Sequence, residues 1–327
     1  MSDSSTNAAG LIRREIEQTG PILFERFMEL ALYAPGAGYY VRGRDPFGVH
    51  GDFFTAEQLQ PVFGILAGQF IESIRERAGD PSSFRVVQLG AGRAEMSEAL
   101  ARFGYEGVDV GRGEFPSRVS GVVFANEFFD ALPAHLVVRR SGVFRNIRVQ
   151  FNDGRFVPVD AERAEGATLA YLERYFASAE DDATIEVHLR GLDWMDRIAA
   201  ALDGWLILID YGYTSREWIR HTAGTLMSYR AHTASPDVFD DPGNRDITSH
   251  VPFTVLSDRA QERGLNVERF QTLATFLLDA GEKDQFSAAL AGATERETIR
   301  RRMQLKTLLY SLGETFRVLV ASKRVTQ

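Results

Sequence analysis

An amide and two carboxylates follow one strongly apolar segment between Val122 and Pro133. The apolar residues stop at Asn126 and Glu127, and Asp130 follows among aromatic side chains. Because ligands bind at the carboxyl ends of strands in open α/β sheets, the pattern predicts a buried parallel strand that ends in a polar ligand pocket. The alternative is purely structural, with Asn126 capping the start of a helix.

A second candidate site is the glycine turn that follows the apolar segment 84–89. Gly90 and Gly92 allow a tight turn and a close approach of the backbone to a ligand. A helix predicted from Ala94 to Phe103 would direct its amino terminus towards the same ligand. Glu95 stands at the third glycine position of the dinucleotide fingerprint, so the turn fits instead an acidic-x-Gly-x-Gly-x-Gly nucleotide motif.

That nucleotide motif is altered at two positions, because Gln88 replaces its acid and Ala94 its last glycine. Asp109 ends the next predicted strand, about 20 residues after the turn, which is the spacing at which a carboxylate reaches a ribose hydroxyl in such folds. The apolar strand 205–209 also ends in an acid, Asp210. The elements that position these residues are therefore parallel strands of one α/β core.

Composition narrows the classes of function. The 327 residues contain no cysteine, so disulfides, thiol nucleophiles and thiolate metal sites are excluded, and the scattered histidines predict no metal site. The net charge of −8 argues against nucleic acid as a partner and suits a basic protein. The polar start and the lack of a ~20-residue apolar run predict a cytoplasmic protein with no membrane partner.

The order of elements predicts two parts of the chain. Helical patterns place a helical N-terminal segment within residues 1–80, which also holds the loop Gly51-Asp52-Phe53. Residues 81–327 are expected to form the α/β domain. Short alternating strands joined by the turn Asn152-Asp153-Gly154 predict an antiparallel sheet inserted near residues 135–160.

Taken in order, these segments resemble the MidA-like methyltransferase family over nearly the whole chain past residue 20. In chain order the matching pieces are Phe27-Met28, Ala31-Leu32-Tyr33, Pro35, Gly38-Tyr39-Tyr40, Gly51-Asp52-Phe53, Thr55, Phe63-Gly64, Leu89-Gly90, Gly92-Arg93, Asn126 through Pro133, Asp210-Tyr211-Gly212, His232, Pro242-Gly243, Asp246-Ile247-Thr248, His250-Val251, Phe253, Gln271 and Phe276-Leu277. The resemblance implies a Rossmann-like class I methyltransferase core with an inserted antiparallel sheet, and S-adenosylmethionine as cofactor. Because a mitochondrial relative is a protein arginine methyltransferase, the expected substrate is an arginine-containing basic protein. The sequence leaves open whether the protein forms a homodimer.

The resemblance also assigns roles to residues of the candidate sites. The residues expected to border the cofactor are Gln88, Gly90, Ala91, Gly92, Asp109, Asn126, Gly51, Asp52 and Phe53. Because carboxylates pair bidentately with guanidinium, Glu127 is the first candidate to hold the acceptor arginine, Asp130 the second and Asp210 the third. For each acid, a structural hydrogen bond is the alternative role.

Departures from the family pattern leave alternatives open. Gln88 stands where the family has Glu, Ala56-Glu57-Gln58 stands where it has Ser-Pro-Glu, and the middle segment 103–121 is short. In the alignment that we favour, the second strand is kept with Asp109 as the ribose acid, and an outer helix and edge strand are missing. In the other alignment, the second strand and its acid are lost. A second function class is a non-catalytic relative that acts as an assembly or interaction protein, and a nicotinamide-dependent oxidoreductase fits the turn but not Glu95.

Overall fold

A computed structural model describes residues 7–42 and 55–323 of the chain. They form two compact units, and the chain passes back and forth between them. The core unit comprises residues 55–129, 194–212 and 256–323, and the antiparallel unit comprises residues 7–42, 130–193 and 213–255. The predicted division into residues 1–80 and 81–327 stays a prediction.

The secondary structure alternates between helices and strands along the chain. The helices are α1 (Ala8–Thr19), α2 (Phe24–Tyr33), α3 (Val62–Arg77), α4 (Ser97–Leu100), α5 (Gly166–Tyr175), α6 (Leu189–Ala201), α7 (Phe253–Glu262), α8 (Leu273–Gly281), α9 (Ser287–Leu290) and α10 (Glu295–Lys306). The strands are β1 (Ile22–Leu23), β2 (Arg85–Leu89), β3 (Glu106–Val108), β4 (Val119–Asn126), β5 (His135–Arg140), β6 (Val143–Asn152), β7 (Arg155–Arg163), β8 (Thr184–Val187), β9 (Leu202–Tyr213), β10 (Met227–Arg230), β11 (Thr233–Ser235), β12 (Asp246–Thr248), β13 (Val251–Pro252), β14 (Asn266–Thr272) and β15 (Phe316–Lys323). Among the described residues, no helix has both the length and the apolar character that a bilayer crossing requires.

The core unit contains a mixed sheet in the order β14-β15-β9-β4-β2-β3. Strands β3, β2, β4 and β9 run parallel to one another, whereas β15 is antiparallel to both β9 and β14. The register pairs Gln88 with Phe124 and Asn126 with Ile209. The predicted α/β core is therefore confirmed, and we call the edge at which β3, β2, β4 and β9 reach their C-terminal ends the carboxyl edge.

Burial explains why these segments form central strands. Val122, Phe124 and Ile207 are fully buried in one apolar cluster, as expected for a sheet covered on both faces. The start of β4 also needs a glycine, because Gly121 has a φ of 133° and a Cβ there would lie 2.1 Å from the backbone oxygen of Arg85. The two strands can approach closely only through this glycine backbone.

The antiparallel unit contains a sheet in the order β1-β6-β5-β8, with β7 paired to β6. The turn between β6 and β7 has positive φ at both Asp153 (49°) and Gly154 (80°), as a two-residue hairpin turn requires. Helices α1 and α2 pack their apolar faces in a cluster with residues of β5 and β6. The predicted inserted sheet near residues 135–160 is thus confirmed.

Candidate functional site

Polar side chains from three strands of the core unit lie at the carboxyl edge of its sheet. Gln88 is the second-last residue of β2, Asn126 is the last residue of β4, and Asp210 follows Ile209, the partner of Asn126 on β9. Parallel neighbouring strands bring their carboxyl ends together. The three positions that the sequence places at strand ends therefore share one edge of one sheet.

The glycine turn after β2 has a backbone that glycine suits. Gly90 and Gly92 have φ values of 65° and 48°, in the left-handed region. A Cβ on Gly90 would lie 3.0 Å from Cδ2 of Phe128. Ala91 is buried between the two glycines, and its N–H donates to the carbonyl of Val108 at 3.2 Å. The turn forms a backbone cradle, and the Phe128 side chain packs against the side of Gly90 that a Cβ would occupy.

The helix predicted from Ala94 to Phe103 is wrong in its first part. Helix α4 begins only at Ser97, and a 3-10 turn covers Ala101–Phe103. Ala94 has a φ of 61° and its N–H donates to the carbonyl of Ala91 at 2.6 Å, so the left-handed turn continues through Ala94. Because α4 has a single turn, the structure does not support the expected contribution of a helix amino terminus.

Asp109 lies directly after β3, and β3 is the parallel neighbour of β2. The second strand is therefore present, as in the alignment that we favoured, and it forms the edge of the sheet. Asp109 is half-buried, its Oδ1 accepts the N–H of Val110 at 2.7 Å, and its backbone pairs with that of Arg112. Its contact with a ribose stays a prediction.

Glu127 is positioned by its backbone and by two donors. Its φ of 50° is uncommon for a residue other than glycine, and such residues cluster at functional sites. Its N–H donates to the carbonyl of Ile209 at 2.9 Å. Its Oε1 accepts the N–H of Ala56 at 3.0 Å and Nδ2 of Asn126 at 3.1 Å. The half-buried carboxylate is thereby oriented at the end of β4.

Asn126 combines a satisfied donor with an unsatisfied acceptor. The residue is 3% exposed, and its Nδ2 donates to Glu127. Its Oδ1 is buried and meets no hydrogen-bond donor in the part of the chain that the structure describes. Because a buried polar atom without a partner costs about 1–3 kcal/mol, this oxygen is suited to accept a hydrogen bond from a bound molecule.

Asp210 is fully buried and bonded to the backbone on both sides. Its Oδ2 accepts the N–H of Phe129 at 3.1 Å, and its Oδ1 accepts the N–H of Tyr211 at 3.0 Å. These bonds join the end of β9 to the segment that follows β4. Both are structural hydrogen bonds, which is the alternative role that the sequence analysis gives for Asp210. A catalytic role for Asp210 stays a prediction.

Asp130 belongs to the antiparallel unit. It is 5% exposed, and its backbone carbonyl accepts the N–H of Ser249 at 3.0 Å. Burial raises the pKa of the Tyr229 hydroxyl, and the charges of Asp246 and Asp130 raise it further. Asp130 is thus a buried carboxyl group that acts on the hydroxyl of Tyr229. Its role towards a substrate stays a prediction.

Glu57, to which the sequence reasoning gave no role, joins the site from the 3-10 turn Ala56–Gln58. It is 5% exposed, and its Oε1 accepts Nε2 of Gln88 at 2.7 Å. Oε1 of the fully buried Gln88 accepts the hydroxyl of Tyr105 at 2.8 Å. The two unusual positions, 57 and 88, are therefore in direct contact, and their joint departure from the family pattern was the signal in the sequence.

The electrostatic surroundings of Glu57 are acidic. Burial raises the pKa of its carboxyl well above the usual value. The Gln88 hydrogen bond opposes this shift, whereas the charges of Glu127, Glu95 and Asp109 add to it. The carboxyl group therefore resists ionisation until a positive charge comes close.

Two further predictions concern the loop and metals. Gly51, Asp52 and Phe53 lie outside the described residues, so their expected place beside the cofactor stays a prediction. Within residues 7–42 and 55–323, no group of three or more histidine or acidic side chains is arranged to hold a metal ion.

Comparison with family models and solved structures identifies similar proteins. Residues 111–271 match the family described as "Putative S-adenosyl-L-methionine-dependent methyltransferase". A crystal structure of a "likely methyl transferase from Burkholderia thailandensis bound to S-adenosyl-homocysteine" is 30% identical with a TM-score of 0.85, and the match covers 98% of this chain and 92% of that chain. The predicted Rossmann-like methyltransferase fold is thus confirmed.

Curated relatives match most of the chain at lower identity. "Protein arginine methyltransferase NDUFAF7 homolog, mitochondrial" of Drosophila melanogaster is 25% identical over 77% of this chain and 70% of its own length. "Protein arginine methyltransferase NDUFAF7, mitochondrial" of Danio rerio is 25% identical over 80% of this chain and 74% of its own length. Because these relatives are mitochondrial proteins, the predicted cytoplasmic location is wrong.

Proposed function

The chain belongs to the MidA-like family of S-adenosylmethionine-dependent methyltransferases, and we propose that it methylates an arginine side chain of another protein. The observation that carries the proposal is the carboxylate of Glu127, oriented by two donors at the end of β4. The names of the curated relatives support arginine as the acceptor. The net charge of −8 is compatible with a basic protein substrate.

The carboxyl edge offers groups that fit the cofactor. We assign the cofactor to the cradle of Gly90 and Gly92, with Asp109 at its ribose and Oδ1 of Asn126 accepting one hydrogen bond. The left-handed glycines leave room for close approach, and the buried oxygen of Asn126 gains a partner. When bound, S-adenosylmethionine supplies an activated methyl group, so the protein mainly has to align the acceptor and exclude water.

The acceptor side of the proposal rests on the chemistry of guanidinium. An arginine side chain is always protonated in water and must lose a proton as its nitrogen accepts the methyl group. A carboxylate pairs with guanidinium through two parallel hydrogen bonds and stabilises the charge in one orientation. Glu127 takes this role first, and Asp130 and Asp210 follow as the second and third candidates.

The experiment compares the parent protein with Glu127→Gln, which keeps the shape and removes the charge. Glu173→Gln is the matched control, because Glu173 is an exposed glutamate of α5. Each protein is incubated with methyl-labelled cofactor and a protein extract, and labelled residues are mapped by mass spectrometry. We expect Glu127→Gln to bind cofactor nearly as well as the parent and to turn over about a hundredfold or more slowly, because a buried cation without its partner is costly.

Three outcomes would contradict parts of the proposal. Label on lysine, on a carboxylate or on a small metabolite refutes arginine as the acceptor. Equal labelling by the parent and Glu127→Gln removes Glu127 from the mechanism. Tight cofactor binding by a parent protein that labels nothing favours the non-catalytic assembly protein instead.

A further inference from the structure

The end of β2 carries an amide, Gln88, and this amide holds a buried carboxyl group from a different segment of the chain. Oε1 of Glu57 lies 2.7 Å from Nε2 of Gln88. We propose that Glu57 supplies the carboxylate that pairs with the cationic part of the bound cofactor, and that Gln88 and Tyr105 position it. This assignment rests on the proposed function, and it adds a cofactor-binding residue to the carboxyl edge.

The geometry holds Glu57 in one place. The hydroxyl of Tyr105 donates to Gln88, which leaves the Gln88 amide nitrogen directed to Glu57. A Cβ on Gly107 would lie 2.9 Å from the hydroxyl oxygen of Tyr105, so glycine at this position of β3 leaves room for the hydroxyl. The next residue back, Ala56, donates its N–H to Glu127 and so anchors the turn that carries Glu57. The side chain is therefore held by Gln88, which Tyr105 orients, and the turn that carries it is held by Glu127.

The charges around Glu57 favour a positively charged ligand. Burial is the main cause of its raised pKa, and the charges that raise it further come from Glu127, Glu95 and Asp109. Tyr105, also facing this group, has a raised pKa because it is buried and lies near Glu57, and Arg112 opposes that shift. A cation placed beside Glu57 would favour its ionised form, because it offsets both the burial and these negative charges.

An independent observation points to a ligand beside this acidic group. Asn126 is only 3% exposed. Its amide nitrogen donates a hydrogen bond to Glu127, whose charge is one of those that raise the pKa of Glu57. Its Oδ1 meets no donor among the described residues. A ligand that carries both a positive charge and hydrogen-bond donors would satisfy the acids and this oxygen together, and S-adenosylmethionine carries a sulfonium and an ammonium group.

Cofactor binding is then coupled to the loss of a proton. In the free protein burial raises the pKa of the Glu57 carboxyl, and an approaching cation lowers it. Binding should therefore release up to about one proton, and affinity should rise with pH while Glu57 is still protonated in the free protein. Glu57→Gln would abolish both the proton release and the rise of affinity with pH.

The experiment uses calorimetric titration with S-adenosylmethionine and with S-adenosylhomocysteine. Parent, Glu57→Gln, the exchanged double variant Glu57→Gln/Gln88→Glu and the control Glu98→Gln, at an exposed position of α4, are each titrated between pH 5.5 and 8, in two buffers that differ in ionisation enthalpy. The difference between buffers measures the protons released. Thermal unfolding of each variant shows whether it is folded.

We expect Glu57→Gln to bind S-adenosylmethionine about ten- to a hundredfold more weakly at pH 8 and to release no proton. The double variant, which returns a carboxylate to the same contact, should recover most of the affinity and the proton release. Glu98→Gln should keep both the affinity and the proton release of the parent. An equal loss for both ligands assigns the ammonium group to Glu57, and a loss for S-adenosylmethionine alone assigns the sulfonium.

The results separate this assignment from the proposed function. If the parent binds and Glu57→Gln binds equally well with the same proton release, Glu57 is only structural and the assignment is wrong. If the folded double variant stays as weak as Glu57→Gln, the carboxylate is not what the ligand needs, and the assignment is again wrong. If the parent itself does not bind at millimolar ligand, the proposed function fails and this assignment fails with it.

Discussion

The carboxylate of Asp210 accepts the backbone N–H of Phe129 at 3.1 Å, and so fixes the segment that follows Asn126 and Glu127. Phe129 is 2% exposed and Asp210 is 0% exposed, so the bond is shielded from water. A hydrogen bond to a buried charge is worth more than one between neutral groups. Asp210 is therefore placed to control the position of the residues beside it.

Asp210→Asn tests this relationship. Asparagine can accept only at one atom, so one of the two backbone N–H groups of Phe129 and Tyr211 loses its acceptor. We expect the free energy of unfolding to fall by about 1–3 kcal/mol, measured by urea denaturation. A stability equal to that of the parent, together with complete loss of methyl transfer, would instead favour the catalytic role.

Asp109→Ala tests the ribose contact. A hydrogen bond between the carboxylate and a ribose hydroxyl is worth about 1.5–3 kcal/mol, so the variant should bind S-adenosylmethionine ten- to a hundredfold more weakly, as measured by calorimetry. Asp109→Asn separates charge from local structure, because it can still accept the N–H of Val110. Glu114→Ala, in the same loop, is the control. Unchanged binding by Asp109→Ala would rule out the contact.

Ala94→Gly should stabilise the protein. Ala94 has a φ of 61°, and a residue with a Cβ loses about 1–2 kcal/mol in this left-handed region. Glycine removes that strain but gains freedom in the unfolded chain, so we expect a net gain of about 0.5–1 kcal/mol in the free energy of unfolding. Ala170→Gly, at an exposed position within α5, should lose about 1 kcal/mol. A loss at both positions would show that the turn at Ala94 is not strained.

Acid should weaken the antiparallel unit through its buried histidines. Burial, with a smaller effect of His250, lowers the pKa of His188 to about 3, and burial with His221 lowers that of His250 to about 4. Between the unfolded pKa near 6.5 and these values, the unfolded chain binds more protons than the folded one, so stability falls as pH falls. Glu186 of the same unit, whose pKa is raised by burial, acts in the opposite direction.

Comparison of the parent with His188→Asn isolates the effect of one histidine. Between pH 6.5 and 5 the parent should lose about 1.6 kcal/mol more unfolding free energy than the variant does, because one pKa unit corresponds to about 1.4 kcal/mol and the unfolded histidine is already half protonated at pH 6.5. Urea denaturation at several pH values measures the difference. A difference that is constant with pH would show that folding does not lower the pKa of His188.

The strand ends were predictable because their signal is local. The apolar segments 122–125 and 205–209 each stop at a polar residue, and segment 84–89 stops at the glycine turn; such segments form central strands. The inserted sheet was predictable from Asn152-Asp153-Gly154, whose residue types match the positive φ values that the turn needs.

The rest depends on contacts that sequence periodicity does not contain. The helix expected from Ala94 begins late because alanine gives no sign of the left-handed backbone that it adopts after Gly92. Glu57 contacts Gln88 only after the chain has folded. From its neighbours in the sequence alone, Glu57 would be predicted to be a surface residue of a turn. A buried polar pair of distant residues therefore escapes local reasoning.

Strand β3 comprises only Glu106–Val108 and forms one border of the core sheet. After it, the backbone of Asp109 turns to pair with Arg112. This edge therefore offers few free backbone N–H and C=O groups to a strand of another molecule, and β3 begins with the charged residue Glu106. Short charged borders discourage the edge-to-edge association that leads proteins with open sheets to aggregate. Extending β3 with apolar residues would remove this protection and expose the molecule to self-association.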